Sequence, residues 1–180
     1  MLAPLQYPGT YDMTLDEIEQ YFVTGAPYEN ERKELMNAFR AYAQTIWRVI
    51  PESELLLDGG FCTLKDWAAP EDIDVAFTVP SQYRERVNSD PSLQLVLTSL
   101  FTRTIKDPAT GTIRRLRPFA DQIDGYMVPL GLPPTNYPGL GLVTQEQYWH
   151  HQWSNVKAQD GTVHAGIRKG FIKVVNPWIL

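Results

Sequence analysis

An α/β fold, in which helices cover a short mixed sheet, is predicted by two hydrophobic patterns in this 180-residue chain. Across Glu31–Ile50, apolar residues recur at three- and four-residue spacing, which is the period of an amphipathic helix. Two short apolar runs, Glu54–Leu57 and Asp72–Val79, have the length and composition of buried strands. A long helix followed by such strands indicates a sheet beneath a helical layer.

Length and composition predict one domain over residues 1–180, with enough apolar residues for a sizeable core. The formal net charge of -5 argues against a nonspecific nucleic-acid coat, which needs a basic face. The single cysteine, Cys62, excludes an intramolecular disulfide and a zinc cluster built mainly on cysteine. We recognise no signal peptide and no run long enough to span a membrane, so we expect a cytoplasmic protein without a membrane partner.

The N-terminal part contains two predicted helices. Residues 1–13, rich in Pro, Gly and Tyr, are expected to wrap around the surface. Thr14 and Glu17 have the spacing of a capping box, which predicts a short helix that stops at Gly25. The longer helix, Glu31–Ile50, is expected to be the main cover of the sheet.

The rest of the chain alternates between the two patterns. They predict helices at Ser81–Val87, Pro91–Thr104 and Thr144–Trp153, and strands at Ile113–Arg117, Gln122–Val128 and Gly166–Val175. We expect Lys106–Thr112 to be a hairpin tip and the strands at 113–117 and 122–128 to be neighbours. Prolines and glycines crowd Pro129–Leu142, where no regular element is expected, and Asp160–Gly161 predicts a further turn.

Two aspartates, Asp72 and Asp74, open the second predicted strand. Positions i and i+2 of a strand point to the same face, so their carboxylates are expected side by side. Neighbouring carboxylates repel each other, and a divalent cation is the usual compensation. We therefore take both residues as candidate metal ligands. In the alternative, Asp72 caps the strand and Asp74 is simply exposed.

Two glycines, Gly59 and Gly60, follow the first predicted strand. Glycines at such a position let a phosphate approach the backbone closely. Thr63 and Lys65, in the loop after them, are candidates for a hydroxyl donor and a positive charge. The alternatives are a plain tight turn and a solvated lysine. Together with the aspartates, the glycines predict a site for a metal and a phosphate.

The order of helix, strand, glycine pair, loop and strand resembles the core of the DNA polymerase β-type nucleotidyltransferase superfamily. Its signature is Gly-Gly or Gly-Ser, then roughly a dozen residues, then Asp-apolar-Asp at the start of an apolar strand. The match here is Gly59-Gly60 and Asp72–Val75. The chain departs from the commoner Gly-Ser form, since Gly60 offers a phosphate only its amide. The whole length is also similar to a small uncharacterised group of phage and bacterial nucleotidyltransferase-like proteins.

The resemblance implies a minimal nucleotidyltransferase fold and transfer of a nucleoside monophosphate from an NTP to a hydroxyl acceptor. That acceptor is a protein side chain, an RNA end or a small molecule. Two Mg²⁺ (or Mn²⁺) ions would be held by Asp72, Asp74 and a third carboxylate, for which Asp124 is the candidate and Asp121 the alternative. Minimal relatives often act in toxin–antitoxin or phage-defence settings, so a toxin or antitoxin partner is implied as well.

Other interpretations stay open. A cluster of arginines, Arg114, Arg115 and Arg117, faces a nucleotide or an RNA acceptor in one interpretation and is a solvated hairpin edge in the other. Cys62 is expected to be a small buried filler. The whole chain is alternatively a catalytically silent nucleotide-binding or protein-interaction domain that retains the fold, or a structural interaction protein of phage origin.

Overall fold

The structure, a computed structural model, describes Leu5, residues 7–157 and residues 162–179. The α-helices of this part of the chain are α1 (Leu15–Phe22), α2 (Glu29–Val49), α3 (Arg84–Ser89), α4 (Pro91–Leu100) and α5 (Gln145–Trp153). Its strands are β1 (Gly9–Met13), β2 (Leu55–Asp58), β3 (Ile73–Val79), β4 (Arg103–Lys106), β5 (Ile113–Leu116), β6 (Ile123–Pro129), β7 (Thr135–Tyr137), β8 (Gly141–Val143), β9 (Asn155–Lys157), β10 (Val163–Arg168) and β11 (Gly170–Val174).

A five-stranded mixed sheet in the order β1-β11-β2-β3-β6 is the centre of the fold. The pairs β1–β11 and β3–β6 are parallel, whereas β11–β2 and β2–β3 are antiparallel. The other strands form two-stranded ribbons, β4–β5, β7–β8 and β9–β10. The mixed sheet and its helices confirm the predicted α/β class.

The two faces of this sheet bury clusters of different size. The larger cluster lies under α2, where the Tyr42 ring meets the edge of Phe77 with ring centroids 6.3 Å apart. Its core also includes the periodic residues of α2, which the sequence pattern identified: Leu35, Phe39, Ile46 and Trp47. The smaller cluster, on the opposite face, consists of Leu56, Ala76, Val128, Trp153 and Phe171. Most of the apolar burial therefore stabilises the face that α2 covers.

The capping signals located the helix starts correctly. The Thr14 hydroxyl accepts the Glu17 amide at 3.2 Å, and the Glu17 carboxylate accepts the Thr14 amide at 2.8 Å. The same reciprocal pair joins Thr144 and Gln147 at the start of α5. The long predicted helix is confirmed as α2, whose ends lie within two residues of the expected ones. Among the described helices, none has the length and apolar character needed to cross a bilayer.

The prediction that residues 1–13 wrap around the surface is wrong for Gly9–Met13. These residues form β1, which pairs in parallel with β11 at one edge of the sheet. Only Met13 of β1 is buried, so the strand has no alternating apolar pattern that would identify it. Its partner lies at the other end of the chain, and pairing of this kind is not visible in local sequence.

The segment between α4 and β6 also differs from the prediction. The predicted helix Pro91–Thr104 ends at Leu100, because the Thr102 amide and hydroxyl both bond to the backbone of Gly125 in β6. The chain then forms β4, whose partner is β5. The hairpin tip at Lys106–Thr112 is confirmed. The expected pairing of the strands at 113–117 and 122–128 is wrong, since β6 pairs with β3 instead.

Three further segments need correction. Ser81–Val87 is a 3-10 turn at Ser81–Tyr83 followed by α3, and Pro129–Leu142 contains β7 and the start of β8. The predicted single strand Gly166–Val175 is two strands, β10 and β11, which separate at Lys169. There the Lys169 amide bonds to the Ser154 carbonyl and its ammonium to Asp58. The predicted turn at Asp160–Gly161 lies outside the described residues.

Candidate functional site

Three aspartates lie in register on three neighbouring strands. Asp58, the last residue of β2, is opposite Asp74 of β3, and Asp74 is beside Asp124 of β6. In-register side chains on adjacent strands point to the same face of a sheet. The three carboxylates therefore form a line across the sheet, which we call the carboxylate row.

The alternation of side chains along each strand fixes the face on which the row lies. The immediate neighbours Leu57, Val75 and Ile123 are fully buried in the larger cluster under α2. Successive side chains of a strand point to opposite faces, so the row shares its face with the smaller cluster. The core under α2 thus holds the three strands in register and thereby aligns the carboxylates.

Gly59, directly after the row residue Asp58, adopts a left-handed conformation with φ of 82°. A Cβ atom at Gly59 would lie 1.7 Å from Asp74 Oδ2, which no side chain allows. At Gly60 the surroundings are open, since the nearest atom to an added Cβ is Lys65 Nζ at 3.6 Å. Gly59 is required by the close approach of a carboxylate, whereas Gly60 has room for a small side chain.

The loop after the glycines is closed by Thr63. Its hydroxyl donates to the Gly60 carbonyl at 2.7 Å, and its amide donates to the same oxygen at 3.2 Å. The hydroxyl that we considered as a phosphate donor is therefore engaged in the turn. The ammonium of Lys65, by contrast, lies beside Gly60, where its charge faces the glycine turn.

Arg32 of α2 supports this loop from the core side. It is fully buried and donates to the carbonyl oxygens of Phe61 at 2.7 Å, Thr63 at 2.5 Å and Phe22 at 3.0 Å. Burial lowers the pKa of the Arg32 guanidinium. Arg32 thus connects the loop after the glycines to the helix that covers the sheet. The hydrophobic pattern of α2 gives no indication of this role.

The two outer carboxylates of the row have cationic partners. The Lys169 ammonium donates to Asp58, and both residues are buried. Arg115 Nη2 lies 2.7 Å from Asp124 Oδ1 and 2.6 Å from Oδ2. The Tyr126 hydroxyl donates to Asp124 Oδ2 at 2.6 Å, and burial together with this bond raises the pKa of Tyr126. The charge of the row is thus largely compensated within the protein.

Asp72 lies just before β3 and outside the row. Its Oδ2 is 3.1 Å from Arg117 Nη1. Burial raises the pKa of Asp72, the Arg117 charge lowers it, and the Asp124 charge raises it further. Asp72 therefore belongs to the charged surroundings of the row, but the neighbours of Asp74 in the sheet are Asp58 and Asp124.

Asp121 and Asp124 have different surroundings. Asp121 is exposed, has a positive φ and accepts a long 3.4 Å bond from the Arg117 amide. Asp124 is buried in β6 beside Asp74. Of the two candidates for a third carboxylate, the fold brings Asp124 to Asp74.

A family model described as a family of unknown function, DUF6932, matches residues 3–175. The chain belongs to the DUF6932 family. Comparisons with curated proteins and with solved structures gave no match.

The donor chemistry of the row suits a hard divalent cation. Mg²⁺ and Mn²⁺ prefer oxygen ligands, and the row presents carboxylates with no sulfur or imidazole among them. In the part of the DUF6932 chain that the structure describes, no three acidic, histidine or cysteine side chains converge closely enough to enclose an ion. The row therefore suits a metal by residue type, but its carboxylates lie in a line and do not converge on one point.

Sequence reasoning missed or misread several members of this site. The predicted strand Glu54–Leu57 stops one residue short of Asp58, which is the last residue of β2. Lys169 and Tyr126 carried no local signal. The ribbon strand β5 is exposed, as the interpretation of the arginine cluster as a solvated edge expects, but Arg115 and Arg117 also pair with Asp124 and Asp72.

Proposed function

We propose that the chain catalyses metal-dependent transfer of a nucleoside monophosphate from an NTP to a hydroxyl acceptor, with release of pyrophosphate. One observation carries the proposal: three carboxylates stand in register on adjacent strands, directly beside a glycine turn. Carboxylate oxygens are the ligands of the Mg²⁺ that accompanies a triphosphate, and an open backbone turn favours phosphate binding.

In this proposal Asp74 and Asp124 of the row and Asp72, which lies just before β3, would hold the metal, while Asp58 stays paired with Lys169. A Mg²⁺ ion held by these residues would neutralise charge on the transferring phosphate and would favour deprotonation of the attacking hydroxyl. Gly60 leaves the backbone accessible to the phosphates and Lys65 adds positive charge beside it, whereas Gly59 is covered by the Asp74 carboxylate. The chain's own contribution is to bind and orient the nucleotide against the row.

The acceptor belongs to the proposal only as a class: a protein side chain, an RNA end or a small molecule with a hydroxyl group. A toxin–antitoxin or phage-defence setting, with a toxin or antitoxin partner, follows from the resemblance alone. We also propose a cytoplasmic location, with which the single cysteine, Cys62, which is buried, is compatible.

A catalytically silent nucleotide-binding or protein-interaction domain is the second candidate. The observation that favours it is the pairing of Asp58 with Lys169 and of Asp124 with Arg115. A row that is already neutralised by protein cations needs no metal to be stable, so the fold can persist without catalysis.

The deciding experiment measures nucleotide binding and nucleotide transfer together. The protein is incubated with each α-labelled NTP, Mg²⁺ or Mn²⁺ and a cell lysate, and label is followed on protein and RNA. We expect metal-dependent binding and transfer that are lost in Asp74→Asn. The matched control is Asp121→Asn, an exposed aspartate outside the row, which should behave as wild type.

The outcomes separate the candidates. Label on protein or RNA supports the transferase and identifies the acceptor class. Metal-dependent binding without any transfer supports the silent domain. If the wild type binds no NTP at any metal concentration, the transferase proposal is wrong and a role in protein interaction gains support.

A further inference from the structure

The ribbon β4–β5 concentrates positive charge in an otherwise acidic protein. Its eight strand residues include four cations and no acidic residue, whereas the whole chain has a formal net charge of -5. All eight strand residues are exposed. Asp107, in the turn between the strands, accepts the amides of Ala109 and Thr110, so its carboxylate is engaged within the turn. The net charge of the chain therefore does not describe this surface.

The register of the two strands divides the ribbon into two faces. Thr104 is opposite Arg115, whose side chain reaches Asp124 at 2.6 Å, so this face contacts the central sheet. The positions before and after them on each strand point to the other side of the ribbon. We call that side the outer face, and it consists of Arg103, Ile105, Arg114 and Leu116.

The outer face combines unpaired cations with exposed aliphatic side chains. Among the residues that the structure describes, neither Arg103 nor Arg114 has an ion pair or a side-chain hydrogen bond. Arg103 is opposite Leu116, which is 44% exposed. Arg114 is opposite Ile105, which is 41% exposed. Such a surface complements a ligand with a negatively charged backbone and apolar planar groups.

The ribbon is attached to the body of the protein at its base. The amide of Thr102, just before β4, donates to the Gly125 carbonyl at 2.8 Å. Arg115 and Arg117 pair with the aspartates of the candidate site. The outer face is thus presented by a segment that is already fixed, which lowers the conformational entropy that a ligand has to offset on binding.

We propose that the outer face of the ribbon binds single-stranded RNA, with Arg103 and Arg114 on its phosphates and the aliphatic side chains against its bases. A guanidinium donates in parallel to two phosphate oxygens. The faces of the bases are covered by stacking in a duplex, whereas RNA presents them in its single-stranded loops and ends. This binding needs neither the metal nor the NTP of the proposed function and is independent of it.

The test measures binding of a fluorescein-labelled oligouridylate by fluorescence anisotropy, without NTP or divalent metal, over a range of salt concentrations. The wild type is compared with the double variant Arg103→Gln with Arg114→Gln. Each lost phosphate contact should reduce the slope of log affinity against log salt by about 0.7, which weakens binding about fivefold at about 0.1 M salt. The double variant should therefore bind about 25-fold more weakly at that salt concentration.

Two further double variants act as controls. Arg48→Gln with Arg86→Gln removes the same two charges from exposed positions on α2 and α3, so the RNA affinity should stay close to the wild-type value. Arg103→Lys with Arg114→Lys keeps both charges and should retain the wild-type salt slope. If the double glutamine variant does not fold, each single glutamine substitution provides the test, with half the loss of slope.

The results distinguish this inference from the proposed function. If the wild type binds no RNA, or if the helix control loses as much affinity as the ribbon variant, the inference is wrong, and the proposed transfer to a protein or a small molecule stands. Tighter binding of duplex RNA than of the single strand would overturn the assignment to single strands. Tighter binding of oligodeoxyuridylate would overturn the assignment to RNA. RNA binding by a protein that neither binds nor transfers any NTP would support the inference and contradict the proposed function.

Discussion

The two faces of the central sheet hold different kinds of interaction. The face under α2 buries apolar side chains such as Phe39 and Ile46, whereas the opposite face has the carboxylate row at one end of a small aromatic cluster. Burial stabilises the first face, and pairing of buried charges makes the second tolerable. This sheet therefore owes most of its apolar burial to the α2 face and carries its paired buried charges on the other one.

The largest effect is expected from breaking the apolar face. Phe39→Ala removes a ring that is 0% exposed, so the free energy of unfolding should fall by about 3–5 kcal/mol, as measured by urea unfolding. Leu95→Ala on α4 is the control, because the Leu95 side chain is 73% exposed and its removal should change stability by less than about 0.5 kcal/mol. Equal losses in the two variants would contradict the burial assigned to α2.

A second variant pair tests whether the charges on the other face stabilise the fold. Lys169→Met leaves Asp58 buried without its cation and should cost about 3–5 kcal/mol. Adding Asp58→Asn removes the buried charge itself, so the double variant should recover most of that loss. Urea unfolding of both variants is the measurement. If the double variant is as unstable as the single one, the pair contributes to stability by more than charge compensation.

The sequence predicts those elements of the two faces whose signals lie within a few neighbouring residues. The helix α2 and the strand β3 follow from hydrophobic period, and the starts of α1 and α5 follow from capping residues, all of which are local. The strand β1 and the ribbon strand β4 depend on partners that only the fold brings near. The predicted helix Pro91–Thr104 therefore extended wrongly into the first two residues of β4, Arg103 and Thr104.

The same distinction applies to the site. Asp74 is predictable because it follows a glycine pair at a recognisable spacing, and Asp124 because it lies within an apolar run. Asp58 was missed because an aspartate before glycines is equally typical of a turn. Arg115 lies on the ribbon β4–β5, and Lys169 lies between β10 and β11. Their pairing with the row depends on how these segments are arranged in space, which no local sequence pattern predicts.

The two glycines of the turn can be tested against each other, because only Gly59 lies against a residue of the row. Gly59→Ala places a Cβ against Asp74 Oδ2 in a left-handed conformation, and should cost roughly 1–3 kcal/mol and weaken any metal binding. The Cβ atom added by Gly60→Ser would lie 3.6 Å from its nearest neighbour, Lys65 Nζ. The free energy of unfolding of this variant should therefore stay within about 0.5 kcal/mol of the wild-type value. Thermal unfolding of both variants checks this. A destabilised Gly60→Ser would show that the turn is tighter than its geometry indicates.

Cys62 lies where the two kinds of interaction meet, since it is buried in the larger cluster and close to the row. Burial raises the pKa of its thiol, and the Asp58 charge raises it further. A folded-state pKa above the unfolded one contributes stability that is fully present below the unfolded pKa, about 8.5, and is lost as pH rises towards the folded pKa. From pH 7 to 9.5, the stability of the wild type should therefore fall by about 1.4 kcal/mol more than that of Cys62→Ala.

Urea unfolding under reducing conditions at the two pH values measures this difference, and comparing the variants cancels the other groups that titrate in the range. Cys62→Ala also loses packing, but it loses it equally at both pH values, so the pH-dependent part belongs to the thiol alone. Parallel pH profiles for the two proteins would mean that the Cys62 thiolate is tolerated in the fold. Cys62 would then belong to the charged surroundings of the row and not to the apolar interior under α2.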